Sequence, residues 1–175
     1  MTKNLTNLLG QSLLAVGLIL AVSCGPKPAS DSAATTTSTP TATADGPSAR
    51  LTKLDGAPAF SVDKLGDAAG SATGRAPISS GGPLVVNGWA VDRADKISAG
   101  GVDIVIDGNA YAAKYGTPRA DVAAHFQIPA YAASGYSFST PAAAFDKGAH
   151  KLTVRVINSG KTGYWESVAL PFEIR

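Results

Sequence analysis

His125 and His150 are the only two histidines in the chain, and with Asp92, Asp95, Asp103, Asp107 and Asp121 they supply its candidate proton-transfer groups. Serines are plentiful, so Ser–His–Asp hydrolysis is the reaction class these types would permit. Its usual context is missing. The chain contains no Gly-x-Ser-x-Gly elbow, no HExxH, no P-loop and no GxGxxG. A glycosidase needs two carboxylates across a cleft, and the only glutamates, Glu166 and Glu173, both fall near the end of the chain. Asp92, Asp95, Asp103 and Asp107 could gather around Ca²⁺, which takes about six to eight oxygens. Neither EF-hand nor RTX spacing is present, so Asp92 and Asp95 read as turn caps and Asp107 as part of a hairpin. We therefore expect no enzyme, no metal and no cofactor, with a small hydrolase as the remote alternative.

The other chemically expressive side chains each have a structural and a functional reading. Arg119 can reach a carboxylate while Asp121 serves the start of a short helix, or the two can hold a ligand. His150, just before a strand, reads as bonded to backbone, and His125 as sitting at a helix end. Trp89 reads as filler between two sheets, its functional alternative being a stacking surface for sugar. Tyr164 and Trp165, beside a turn, are the possible ligand surface, set against packing in the core or at an edge.

The remaining reactive group is Cys24, the only cysteine, which excludes an intrachain disulfide and a thiolate zinc site. It ends a segment, residues 1–23, in which Lys3 is followed by the apolar run Leu13 to Val22 and then by small residues. That order is the pattern of a secretory signal. The run is about half of the roughly 20 residues that a membrane-spanning helix requires. Ala21-Val22-Ser23-Cys24 resembles the lipobox of bacterial lipoproteins, with Ala21 where Leu is usual. The resemblance implies cleavage before Cys24 and lipidation of its sulfur and new amine, palmitate included. Two or more acyl chains anchor a protein firmly where one holds it marginally. The implied address is the cell envelope, facing the periplasm or exterior. In a Gram-negative cell, Gly25 after the cysteine is compatible with the outer membrane.

Residues 24–50 are almost entirely Ala, Thr, Ser, Pro and Gly, with no large apolar side chain, and read as a disordered linker. Residues 51–82 read as a first strand, Phe60 to Leu65, and a long loop from Gly66 to Gly82 that leaves the strand loosely attached or the loop mobile. Residues 83–175 read as the core of a β-sandwich. Pro83 to Arg93 is a central strand in which Gly88 marks a bulge or a close backbone approach. Val102, Ile104 and Ile106 form an aliphatic face opposite a mostly polar one, and Asp107-Gly108 suits a type I′ turn to a strand at Ala110–Tyr115. Thr117, Pro118 and the residues to Phe126 suggest a short helix with Thr117 as N-cap. Tyr136 and Phe138, then Leu152, Val154 and Val156, then Val168, Leu170, Phe172 and Ile174 alternate as further strands, with Pro171 pointing to an edge or a bulge. About seven strands with regular turns favour an all-β, antiparallel sandwich. The formal charge of +2, with basic residues scattered, gives no reason to expect nucleic acid.

Several of these segments, in order, resemble an Ig-like module found in bacterial envelope proteins, including large glycosyltransferase-related ones. The residues are Asn87-Gly88-Trp89-Ala90-Val91-Asp92, Val102 to Gly108, Tyr115-Gly116 with Arg119 to Ala123, Ser134-Gly135-Tyr136, and Gly148 to Leu152, with Tyr136 where Phe is usual. The resemblance implies a sandwich in which Trp89, Asp92, Asp107, Gly108, Arg119, Asp121 and His150 are motif residues, and it is almost silent on function. The expectation is a lipoprotein, anchored to the membrane through Cys24, whose non-catalytic domain binds an envelope protein or glycan. A structural spacer or accessory subunit without a small-molecule ligand is the alternative.

Overall fold

Two-residue alternation organises the chain. In Pro83–Asp92, Leu84, Val86 and Ala90 turn to one side and are fully buried, while Val85, Asn87 and Trp89 turn to the other and are only half-buried. The computed structural model describes residues 43–66, 68–69 and 76–175. Signal segment 1–23, Cys24, the linker to residue 42 and part of the 66–82 loop lie outside them. The strands are β1 (Thr52–Lys53), β2 (Ala59–Leu65), β3 (Ala68–Ala69), β4 (Ala76–Ile78), β5 (Pro83–Asp92), β6 (Ile97–Ser98) and β7 (Gly101–Ile106). They continue as β8 (Asn109–Ala112), β9 (Lys114–Thr117), β10 (Gly135–Pro141), β11 (Gly148–Ile157), β12 (Gly163–Glu166) and β13 (Leu170–Ile174). The α-helix α1 (Ala120–Phe126) lies between β9 and β10. The fold is all-β, as expected, and the excess over seven strands consists of short edge pieces. No helix among the described residues is long and apolar enough to cross a membrane.

The strands form two sheets. In the first, β8, β7 and β11 pair antiparallel in that order. Beyond β11, its two halves pair with β13 and β12, which are edged in turn by β4 and β1 in parallel. In the second sheet β5 is central, flanked by β2 on one side and β10, then β9, on the other. Leu84, Val86, Tyr136 and Phe138 from the second sheet share one core cluster with Ile104, Ile106, Leu152, Val154, Phe172 and Ile174 from the first. Full burial of each such side chain contributes roughly 1.5–3 kcal/mol.

Gly88 is a close approach. A Cβ there would lie 1.9 Å from the Ser61 carbonyl oxygen and 2.7 Å from the Tyr136 hydroxyl. Opposite it, β2 carries a bulge between Val62 and Lys64 that lets Val62 and Leu65 both face the core. Asp107 and Gly108 both have positive φ, 47° and 90°, as a type I′ turn requires.

Several expectations need correction. The first strand is not loosely attached: β2 pairs with β5 along its length, and the core includes Val62, Leu65 and Ile78, so the sandwich begins well before residue 83. The linker does not extend to residue 50. Pro47–Arg50 is a 3₁₀ turn in which Ser48 is buried, its N–H donating to Asp103 Oδ2 at 2.7 Å. The face of β7 expected to be mostly polar is covered too, with Asp103 and Val105 both buried and Asp103 bonded to this strap. The strand at Ala110–Tyr115 is two strands, because the chain leaves the first sheet after Ala112 and joins the second at Lys114. The helix starts at Ala120 with Arg119 as N-cap, since Thr117 is held in β9 by pairing with Gly135. Finally, Val168 does not share a face with Leu170 and Phe172. The Ser167 hydroxyl accepts the Val154 N–H in place of a ladder bond, and Val168 is thrown out to 80% exposure.

Candidate functional site

The outward side of β5 carries Trp89 and Val91, and α1 with the 3₁₀ turn Pro129–Tyr131 closes over them. Trp89 is therefore not filler between the sheets. It belongs to a second cluster with Val91, Val122, Phe126 and Tyr131 on the far side of the second sheet. Its ring meets Phe126 edge-on at 5.4 Å between centroids, and Phe126 meets His125 at 4.9 Å and Tyr131 at 5.7 Å. Such contacts are worth about 0.5–1.5 kcal/mol each beyond burial. Trp89, Asp121, Val122, His125 and Phe126 line an open cavity of about 370 Å³.

Arg119 fixes the helix that forms this rim. Its Nη1 donates to Asp63 Oδ2 of β2 at 2.6 Å, and its Nε and Nη2 grip Asp121 at 2.9 and 2.7 Å. The paired hydrogen bonds from Arg119 hold the Asp121 carboxyl down at about 2. The structural reading of the Arg119–Asp121 motif thus holds, and the same fork places a carboxylate at the cavity lip. His125 is exposed, and its ring nitrogens make no hydrogen bond among the described residues; nor does the Trp89 indole N–H.

The other candidates are engaged elsewhere. Asp92 is buried and accepts the N–H groups of Ala94, Asp95 and Ser159 at 3.0, 3.2 and 2.8 Å, so it caps its turn as expected, whereas the Asp95 carboxylate caps no turn and accepts from the Ser159 hydroxyl across the loops. Asp107 accepts the Lys151 N–H at 2.9 Å and faces His150 Nδ1 at 2.6 Å. His150 Nε2 faces the Asp146 carbonyl at 2.8 Å. His150 thus bonds to backbone, as expected, and to Asp107 as well. Both of its nitrogens face acceptors, so the doubly protonated imidazolium satisfies the pair best. Burial lowers the His150 pKa, but the Asp107 and Asp146 hydrogen bonds outweigh it and leave the value raised. Asp92, Asp103 and Asp107 have separate partners and do not gather as a calcium site.

Tyr164 and Trp165 do not form a common platform. Adjacent strand residues point to opposite faces. Trp165 packs against the main core, while Tyr164, 9% exposed, lies beneath the Arg155 guanidinium at 4.6 Å on the outward side of the first sheet. Of the two readings of this pair, packing in the core and against a sheet face is the one the contacts match. From sequence alone, Trp89 has a stacking role only as its alternative and is not joined to α1, although two signals point to that pairing. The alternation of β5 puts Trp89 on the side opposite Leu84 and Val86, and Asp121/His125 and Val122/Phe126 are i, i+4 pairs on one short helix.

No known protein family matches the chain, and no curated protein matches it. Among solved structures it is similar to the endo-β-1,4-mannanase from Thermotoga petrophila, with a TM-score of 0.43 and 10% identity over 70% of this chain. The chain spans 20% of that enzyme's length, and nothing about activity follows from so slight a likeness.

Proposed function

We propose that this chain is a membrane-anchored envelope lipoprotein whose sandwich is a non-catalytic, Ig-like binding domain for a protein or glycan partner. The observation that supports the binding reading is where the reactive side chains go. Asp92, Asp107, Arg119 and His150 all hold turns, strand ends or the helix in place. A catalytic set needs a nucleophile beside its base, and the cavity that His125 and Asp121 share is otherwise lined by Trp89, Val122 and Phe126, which supply no hydroxyl or thiol. The anchoring reading rests on Cys24 and the apolar segment before it.

Cys24→Ala tests the anchor. The variant is expected to remain unprocessed or to leave the membrane fraction, with the sandwich intact by circular dichroism. Metabolic labelling with a fatty-acid analogue should tag the wild type and not the variant. A wild-type chain that takes up no label and fractionates as soluble protein would remove the anchor.

A further inference from the structure

The cavity between β5 and α1 brings aromatic surface and unoccupied polar atoms together. We infer that it binds a pyranose ring of a neutral glycan, an inference that rests on the binding-domain reading and names its site. Trp89 is half-buried and braced edge-on by Phe126, so its orientation is set before any ligand arrives. A fixed aromatic surface matches the apolar C–H face of a sugar and costs little ordering entropy on binding. Around it stand groups of both hydrogen-bonding senses. The indole N–H is a donor without an acceptor among the described residues, and the two His125 nitrogens offer one donor and one acceptor in the neutral ring. Each oxygen of Asp121 accepts one bond from Arg119 and retains capacity for another. Sugar hydroxyls donate and accept at once, which is the pattern this rim presents.

Charge selects among ligand classes. Aromatic rings beside a carboxylate would ordinarily suit a cation. Here the Asp121 charge is already answered by Arg119, 2.7 Å away, which favours a neutral ligand over an ammonium group. An anion would meet Asp121 at the lip and Asp63 behind Arg119. At about 370 Å³ the cavity lies at the lower end of the roughly 300–1,000 Å³ range of ligand sites, suited to one ring of a chain that continues into solvent.

The test uses the full chain in detergent with Trp165→Phe as background, so that Trp89 is the remaining indole. Soluble oligomers of glucose, galactose and N-acetylglucosamine are titrated while Trp89 fluorescence is read, with tetramethylammonium as the cationic probe. The expected result is a saturable change with at least one sugar. Adding Trp89→Phe, followed by amide NMR, should weaken that affinity about tenfold, and adding His125→Ala about fivefold, near 1 kcal/mol. Saturation by tetramethylammonium in place of sugar would overturn the ligand class. Sugar binding undiminished in both variants would overturn this site and leave glycan binding standing elsewhere on the domain. No sugar binding, with an envelope protein crosslinked to the chain instead, would overturn the site while leaving the protein-partner form of the binding reading.

Discussion

Each sheet has an outward face, and the chain closes the two by different means. Over the first sheet lies the strap before β1. Its Gly46 N–H donates to the Ala110 carbonyl at 2.9 Å and its Ser48 N–H to Asp103 at 2.7 Å. Beside it Lys53 and Arg155 both grip Glu166, at 2.8 and 2.7 Å, and Arg155 covers Tyr164. Over the second sheet lies α1, whose Phe126 meets the Trp89 ring edge-on. The first face ties its strap down by polar contacts, with a cavity left beside the strap between Pro47, Leu51, Asp103 and Tyr115, and with the buried Asp103 Oδ1 unpartnered among the described residues. The second leaves an indole, an imidazole and a carboxylate at the edge of a cavity. Polar closure uses up most of the groups that make it, whereas closure by apolar packing leaves hydrogen-bonding capacity at the rim.

Asp103→Ala should give the largest effect, because it releases the strap of the first face at its buried point. The Ser48 N–H would lose its acceptor while 1% exposed, at a cost of about 2 kcal/mol. Urea unfolding should show the loss, and amide exchange at Ser48 should accelerate. Sugar titration of the other face should be unchanged. Equal stability with slow exchange at Ser48 would mean that the strap is held by something other than this carboxylate.

Arg119→Lys comes next and addresses the second face through its anchor. A lysine cannot reproduce a fork that reaches Asp63 and both oxygens of Asp121 together. The expected loss is about 1 kcal/mol, expressed as faster amide exchange in α1 and not across the sheets. Exchange that rises equally in β5 and β11 would show that the helix is part of the global fold and no separate lid on this face.

How much of this contrast the amino-acid order reveals depends on the range of the interaction. Alternation in β5, β7 and β11 exposes the strands and the two-sheet core, because side-chain period 2 is local. The Asp107-Gly108 turn is legible for the same reason. Three features are not local. The strap is held by Asp103, 55 residues away from Ser48, so its composition reads as linker. The sheet change at Ala113 depends on β10, and nothing in Ala110–Tyr115 marks it. Tyr164 and Trp165 look like a pair only until their faces are assigned by pairing with Ile157 and Val156 of β11. For the cavity, the helix spacing and strand parity were both visible, but their juxtaposition required knowing that α1 folds back over β5.

The pair His150–Asp107 belongs to neither outward face and provides a pH reference. Burial raises the Asp107 pKa, yet the His150 and Lys151 bonds bring it below its ordinary value, while that of His150 is raised. A raised imidazole contributes stability fully below its unfolded value near 6.5 and loses it as pH climbs through the folded one. A lowered carboxylate contributes above its unfolded value near 3.8 and loses it as pH falls through the folded one. The pair is therefore most stabilising between these two values, by about 1 kcal/mol given the half-exposed carboxylate. Stability curves measured across pH for wild type and His150→Gln should diverge in that window and converge above it. Parallel curves would show that His150 stays uncharged.

His125→Ala has the smallest expected effect on folding, and its value to the comparison lies there. The residue is exposed, its ring touches Phe126 by an edge, and no described group bonds to its nitrogens. A surface substitution of that kind changes stability by within about 0.5 kcal/mol. If the second face is a ligand rim, the variant keeps the wild-type urea midpoint while its sugar affinity falls. If the face is merely packing, both quantities stay fixed. A midpoint that drops by as much as Asp103→Ala would say that α1 is pinned by this imidazole, and the two faces would then be closed by the same kind of polar contact after all.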